Sequence, residues 1–479
     1  MKILLVTDGR YPEYVNGVSI YIRYLAEEMA KDGHDVHILH HIRSGFIKRP
    51  RIVKNIENSI TYYGINNSPV SFSEGFVHPL KSCYERKTEK IFIDVLDYVN
   101  PDIVHFHEFE RTPSFCLDIV KAKNIPTLVT LHDYWLICPR LQLFTLDESI
   151  CKDPDEGRNC IVNCMAGDYF TRQYRKTIMT LPDGKIIKGI KKLRNIYKKV
   201  RGERLGQTRP NHTSLKKNSL NGGNKRLKDA FRARYIYNQN FLSKADLILA
   251  VSTGVKRIFE EHEIEREKIV VNQLGVKFID YAERKVRQFE RYPVRFGFLG
   301  HLGPSKGTHC IVEAAKKINP EKARFLFYGG ADDETLYDFK NSTKDLANCS
   351  YMGRYDYKEL NVVFSSFDIL IIPSLWQETL GMTGLEAQAA CIPLIASDIG
   401  GMNDYIRHGV NGLLFPPGDV DALTGCINNI LENPSQVKTM SENAIKPKTI
   451  KEDYETIISF YKNLVTDKKD KVLIEQMAK

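Results

Sequence analysis

Two glutamates, Glu378 and Glu386, stand with seven residues between them, and Gly381, Met382 and Thr383 fall inside that interval. The run follows an apolar strand pattern, DILIIPS, and opens a helical one. A glycine-bearing turn from strand to helix presents backbone N–H groups and the positive end of the helix dipole, an arrangement that holds an anion. Glu386 lies about one helical turn beyond Met382, where a carboxylate can accept bonds from a diol. Glu378 sits on the turn itself. Amides for a diphosphate and acids for ribose and sugar hydroxyls make the polarity pattern that a nucleotide sugar needs. An ordinary helix start with acidic capping explains the glutamate spacing alone, and fits the flanking turn less well.

Other residues have chemistry to offer. Lys306 lies in the glycine-flanked turn HLGPSKG, and Asn16–Gly17 mark a tight turn after the first strand pattern. His132 closes the strand pattern TLVTLH, where a hydrogen-bonded structural histidine is the plainer reading. Cys138, Cys151, Cys160 and Cys164 put four thiols within 27 residues. Such a cluster can hold a structural zinc or an iron–sulfur cluster, although the spacing matches no standard finger. Disulfides and free thiols are the alternatives. The other six cysteines are scattered and read as small buried hydrophobes.

These residues need a scaffold, and the apolar runs supply one. Strand patterns occur at 3–7, 35–39, 102–107, 127–132, 245–252 and 268–275, then again at 295–300, 323–330, 349–353, 368–374, 392–397 and 412–417. Helical patterns separate most of them; Ile20, Tyr24, Leu25 and Met29 fit one helix face, with Gly33 as its C-terminal stop. Strands buried on both faces and alternating with helices imply α/β architecture with parallel, doubly wound sheets. The pattern runs twice, so two Rossmann-like domains are expected to face each other across a ligand-binding cleft. Residues 1–282 form the first, 283–450 the second, and 451–479 a helix packing back, with Tyr454, Ile457, Ile458 and Tyr461 on its stripe.

The chain's net charge is +10, and it is unevenly placed. Between Lys185 and Arg234, 17 Lys or Arg face only Glu203 and Asp229, a local +15 that leaves the remainder at −5. The stretch 166–234 breaks the strand–helix rhythm and reads as a basic insertion in the first domain. An anionic membrane surface or another polyanion is its natural partner, and a solvated, flexible insertion is the plainer alternative. The opening MKILLVTD has too short an apolar stretch for a signal peptide, and no run approaches the roughly 20 residues that span a bilayer. A cytoplasmic location, at most peripheral on the inner face of the membrane, is therefore expected.

The segments PSLWQETLGMTGLEA, SDIGGMNDYIRHGVNGLLFPPGD and GFLGHLGPSKG resemble the C-terminal half of the retaining nucleotide-sugar glycosyltransferases with the GT-B fold, in family four of their classification. YPEYVNGVSIYIRYLAEEMAKDGHDV, PDIVHFH and TLVTLHD are similar to the N-terminal half. The resemblance implies that Glu386 binds the ribose diol and Glu378 the donor sugar, and that the Gly381, Met382 and Thr383 amides hold the diphosphate with Gly17. It implies that Lys306 neutralises the leaving phosphate, that His132 touches the donor sugar, and that Gly353, Arg354 and Tyr355 border the base. His301 stands where the family usually has arginine, replacing a charged fork by a single directed donor.

No Asp-x-Asp metal motif accompanies this set, since Asp153-Pro154-Asp155 lies among the cysteines. The implied reaction is a metal-independent transfer with retention, without a catalytic cofactor, from a UDP- or GDP-sugar to a glycan or lipid-linked acceptor. That places it in cell-surface polysaccharide or glycolipid synthesis, with no nucleic acid as partner. A sugar phosphorylase of the same fold would need a pyridoxal-binding lysine region that is not found. A polyanion-binding protein with a vestigial transferase site is the rival reading, and rests on the basic insertion alone.

Overall fold

The computed structural model describes residues 1–42, 50–68, 70, 78–145, 148–151, 155–157, 159, 160, 164, 223–289 and 292–477. Among them, fourteen strands form two sheets. The first contains β1 (Lys2–Val6), β2 (Asp35–Ile42), β3 (Arg51–Glu57), β4 (Ile60–Asn66), β5 (Ile103–Phe106), β6 (Thr127–Leu131), β7 (Leu247–Ala250) and β8 (Ile269–Val271). Their order is β3-β4-β2-β1-β5-β6-β7-β8. The second contains β9 (Val294–Leu299), β10 (Ala323–Tyr328), β11 (Cys349–Gly353), β12 (Ile369–Ile372), β13 (Leu394–Ser397) and β14 (Gly412–Phe415), in the order β11-β10-β9-β12-β13-β14. Each strand pattern named from the sequence is a strand, and two parallel Rossmann-like sheets are present as expected.

The strand order reverses beside β1 and β5 in one sheet and beside β9 and β12 in the other. At such a switch point the connections leave to opposite faces, and a crevice opens beyond the carboxyl ends of the strands. The residues immediately after β1, β5, β6, β9 and β12 are thus the ones that topology places at a ligand.

Four helices matter most to the site. In α1 (Gly17–Lys31), Asn16 Oδ1 accepts from Ser19 N at 2.7 Å while Asn16 N donates to Ser19 Oγ at 3.1 Å, a reciprocal cap that fixes where the helix starts. Leu25 and Met29 are buried as expected, but the stripe centres on Tyr21 and Ile22, leaving Ile20 and Tyr24 half-buried. Helix α2 spans Gly223–Leu242 and α3 spans Met382–Ala389.

Helix α4 (Ile450–Met477) returns to the first sheet, burying Tyr454, Ile457, Ile458 and Tyr461. Asp453, fully buried, accepts from Tyr21 Oη (2.9 Å), Asn272 Nδ2 (2.8 Å), Gly275 N (2.9 Å) and Lys448 Nζ (2.8 Å). Tyr461 Oη reaches His105 Nδ1 of β5 at 2.6 Å. A buried carboxylate with four donors is well compensated, so this contact ties the last helix firmly to the first half of the chain.

Two features differ from the sequence reading. Strands β3 and β4 form an antiparallel hairpin at the sheet edge. It escaped notice because β3 is almost wholly exposed and carries no buried face to pattern its residues. The second concerns the basic stretch, of which residues 166–222 lie outside the described residues. Its end belongs to α2, where Arg234 is only 1% exposed and so is withdrawn from any membrane or polyanion surface. Among the described residues no helix is long and apolar enough to cross a membrane.

Candidate active site

Lys306 closes a short turn after β9, and Gly307 follows in a left-handed conformation (φ +67°). A Cβ at Gly307 would lie 1.8 Å from the Pro373 carbonyl oxygen, so only glycine lets this turn press against the end of β12. The close approach brings Lys306 Nζ to 3.0 and 2.9 Å from Glu378 Oε1 and Oε2. Ser374 Oγ donates to Glu378 Oε2 at 2.9 Å, and the Trp376 ring lies 5.1 Å from the ammonium. The carboxylate is nearly buried and the lysine side chain is 30% exposed, so the pair is open to solvent on the lysine side.

Gly381 stands directly before α3 in a left-handed conformation (φ +75°), its carbonyl accepting from Tyr405 Oη at 3.0 Å. Met382 and Thr383 begin the helix, where backbone amides lack intrahelical acceptors. One turn further on, Glu386 is buried against the Tyr357 hydroxyl. Burial pushes its carboxyl up to about 8, and the Tyr357 bond offsets only part of that rise. Tyr355 lies in the same neighbourhood, its hydroxyl pushed up by burial and by Glu386.

At the ends of β9, β10 and β11, His301 Nδ1 lies 2.9 Å from the Gly330 carbonyl. Nδ1 is therefore the donor, and a neutral imidazole has only an acceptor left at Nε2. A Cβ on Gly330 would come within 2.6 Å of Arg354 Nε, which places that guanidinium over the same loop. Gly353, at the end of β11, adopts φ +86° and accepts from Gly329 N at 2.7 Å.

The other wall comes from the first sheet. Gly17 opens α1, and a Cβ placed on it would sit 3.6 Å from Met382 Cγ of the second half. The two helix starts thus meet across the crevice. His132 follows β6 and is buried beside His107, which follows β5; His107 Nδ1 and His132 Nε2 are 3.0 Å apart. Tyr21 packs against both rings, at 6.2 and 5.8 Å. Burial pushes His132 down to about 3, so it is neutral under ordinary conditions.

Three carboxyls line the same strand ends, and the sequence reading passed over them. Glu108 Oε2 accepts from Thr7 Oγ1 (2.5 Å) and Asp8 N (2.9 Å), and Asp8 accepts from Glu110 N and Arg111 N at 2.8 and 2.9 Å. Burial raises the Asp8 and Glu108 pKa values, and Asp133 is pushed up to about 7. Their position just past β1, β5 and β6 was the available signal. His107 was quoted within a strand motif, but its pairing with His132 depends on two strands adjacent only in space.

Topology therefore gathers Asn16, Gly17, His132, His301, Lys306, Gly353, Arg354, Tyr355, Glu378, Gly381, Met382, Thr383 and Glu386 around the strand ends of the two sheets. Cys138, Cys160 and Cys164 are buried and Cys151 is half-buried.

Comparison with known proteins agrees with the two-sheet architecture. The family description "Glycosyl transferases group 1" matches residues 282–447, and "Glycosyltransferase Family 4" matches residues 15–150. A D-inositol 3-phosphate glycosyltransferase of Corynebacterium urealyticum is 27% identical over 252 residues, 48% of this chain and 58% of that protein. Glycogen synthase of Mycobacterium tuberculosis is 26% identical over 168 residues, 34% of this chain and 40% of that protein. The chain spans about half the length of the curated relatives it matches. Among solved structures, sucrose-phosphate synthase of Thermosynechococcus elongatus aligns with a TM-score of 0.60 at 15% identity, covering 100% of this chain and 99% of that one. HepE of Anabaena, in complex with UDP-glucose, aligns with a TM-score of 0.58 at 14% identity, covering 97% and 100%.

Proposed function

We propose that this chain, which belongs to the family-four glycosyltransferases of the GT-B fold, moves a sugar from a nucleotide diphosphate donor to a glycan or lipid-linked acceptor with retention of configuration. One observation carries the reading: Lys306 is held on the Glu378 carboxylate beside the Gly381–Thr383 turn, at a strand switch point. The bidentate pairing uses two of the three ammonium protons and leaves the third for a phosphate. A donor diphosphate seated there takes that proton's hydrogen bond, together with those of the Gly381, Met382 and Thr383 amides.

As the bond from sugar to phosphate breaks, negative charge grows on the leaving oxygen and positive charge on the sugar ring. Fixed donors aimed at the phosphate stabilise the first, and no metal ion is required for it. Glu378 keeps unused lone pairs for sugar hydroxyls, and Glu386 accepts from the ribose diol. Neutral His132 meets the sugar from the opposite wall without adding charge beside an oxocarbenium-like centre. Gly353, Arg354 and Tyr355 border the base. The acceptor enters from the wall carrying Asp8, Glu108 and Asp133, whose carboxyls suit hydroxyl recognition. The HepE complex with UDP-glucose supports a nucleotide-sugar donor on this fold.

The test is a thermal-shift and turnover screen with UDP-, GDP- and ADP-sugars, run with brief exposure to EDTA and with added magnesium or manganese. One donor should stabilise the protein and release its nucleotide irrespective of these additions, and NMR of the product should show the donor's anomeric configuration. No response to any donor, alongside saturable binding of a polyanion, would favour the rival reading.

A further inference from the structure

We infer that Asp404 is a positioning residue for Glu378, and that it acts by seating a turn of the second half of the molecule on a helix start of the first. The contact joins Thr253 and Asp404, 151 residues apart in sequence.

On the first half, β7 ends at Ala250 and a helix follows at Thr253–Glu261. Ser252 caps that helix, its Oγ accepting from Val255 N at 3.1 Å. Thr253 N belongs to the first turn, where no acceptor exists within the helix. Asp404 supplies one from the other half. Its Oδ2 accepts from Thr253 N at 2.8 Å, and its Oδ1 accepts from Thr253 Oγ1. A carboxylate placed there also meets the positive end of the helix dipole.

Glycines let the two backbones touch beside this pair. A Cβ on Gly254 would lie 3.0 Å from the Gly400 carbonyl carbon, and one on Gly401 would lie 2.8 Å from Ser252 Cβ. Side chains at these positions would hold the halves apart.

The turn Gly400–Asp404 presses at the same time on the segment that carries Glu378. Gly401 N donates to the Glu378 carbonyl at 2.8 Å. Gly400 is left-handed (φ +63°), and a Cβ on it would lie 2.0 Å from that same oxygen. Tyr405, next to Asp404, donates through its hydroxyl to the Gly381 carbonyl at 3.0 Å. The backbone from Glu378 to Gly381 is thus gripped at both ends by one turn, whereas Lys306 and Ser374 hold only the Glu378 carboxylate. Asp404 pins that turn to the other half, so a displaced seat displaces Glu378. The effect on turnover, though not the seating itself, rests on the reading of Glu378 as a donor-sugar residue.

Hydrogen-exchange mass spectrometry on the full chain reads the seating without reference to transfer activity. In Asp404→Ala, peptides covering 378–381 and 400–401 should exchange about tenfold faster, as expected on losing a hydrogen bond to a charged group, while β1 and β9 keep their protection. Asp404→Asn, whose Oδ1 still takes the Thr253 amide, should restore most of it. Gly254→Ala lies on the opposite half and should speed exchange over the same peptides by pushing Gly400 away. In both Asp404→Ala and Gly254→Ala, kcat should fall about tenfold or more while the KM for acceptor holds. Faster exchange with unchanged kcat would uphold the seating and remove the donor-sugar reading of Glu378. Unchanged exchange over 378–381 in Asp404→Ala would overturn the inference, whatever Gly254→Ala does to the fold.

Discussion

Lys306 and Glu378, 72 residues apart in sequence, make a bidentate ion pair with both N–O distances near 3 Å, and Ser374 Oγ donates to the same carboxylate. The lysine side of the pair is 30% exposed, so its own contribution to stability is modest. In the proposed reaction its value lies in holding a charged amine where the phosphate departs.

Lys306→Ala should lower turnover by about 10²–10³-fold, the usual cost of losing one fixed donor to developing charge, while the melting temperature stays near that of the wild type. His301→Arg should act in the opposite direction on donor affinity. His301 spends Nδ1–H on the Gly330 carbonyl, so a neutral ring offers a phosphate no donor, whereas arginine can serve both. A turnover assay measures the first and calorimetric titration with the preferred nucleotide the second; a loss of fold in Lys306→Ala would move that residue from chemistry to structure.

Glu386 sets a pH dependence. Its carboxyl, held up at about 8, carries a proton in the free protein at neutral pH. In the proposed reaction the ribose diol donates to the ionised form, so donor affinity should climb as pH rises toward about 8 and level off above it. Stability runs the other way. The folded state keeps a proton that the unfolded chain releases near 4.5, so this stabilisation is complete below that value and lost as pH rises through about 8. Glu386→Gln should flatten both profiles.

The buried histidines govern the acid side. His132, down at about 3 from 6.5, stabilises the fold fully above 6.5 and loses that contribution as pH falls through about 3. Burial lowers His105 and His107 as well. Melting temperature should therefore fall steeply between neutral pH and about pH 4, and His132→Gln, which takes up no proton, should fall less steeply. Equal slopes in the two proteins would show that His132 is not held neutral.

Deleting residues 184–222 removes twelve Lys or Arg against Glu203 and leaves α2 whole. Transfer to a short soluble acceptor should persist, while sedimentation with anionic vesicles should drop. For the intact chain that sedimentation should fade as salt brings the Debye length below about 8 Å. Wild-type protein that ignores anionic vesicles at low salt would remove the membrane reading.

The parallel strands were legible because their residues are buried on both faces and read as unbroken apolar runs. The wall carrying Lys306, Glu378 and Glu386 was legible because glycine turns and paired acids lie close together in sequence. The opposite wall was not. Asp8, Glu108 and His107 matter through neighbours about 25 or 100 residues away, and nothing in their local spacing announces it. Arg234 looked like one more solvated charge in a basic run, and only packing shows it to be interior.

The grip of Asp453 and Tyr461 on Tyr21, Asn272 and His105 also bears on how the chain is made. Synthesis proceeds from the first residue, and β8 ends at Val271, yet the first sheet still lacks Tyr461 beside β5. The ribosome must add another 190 residues before that place is filled, a wait on the order of ten seconds or more at ordinary elongation rates. The second sheet, complete at Phe415, is released earlier relative to its own needs. The half that begins first is thus finished last, and cutting the chain between the two sheets would yield a first half with its seam open.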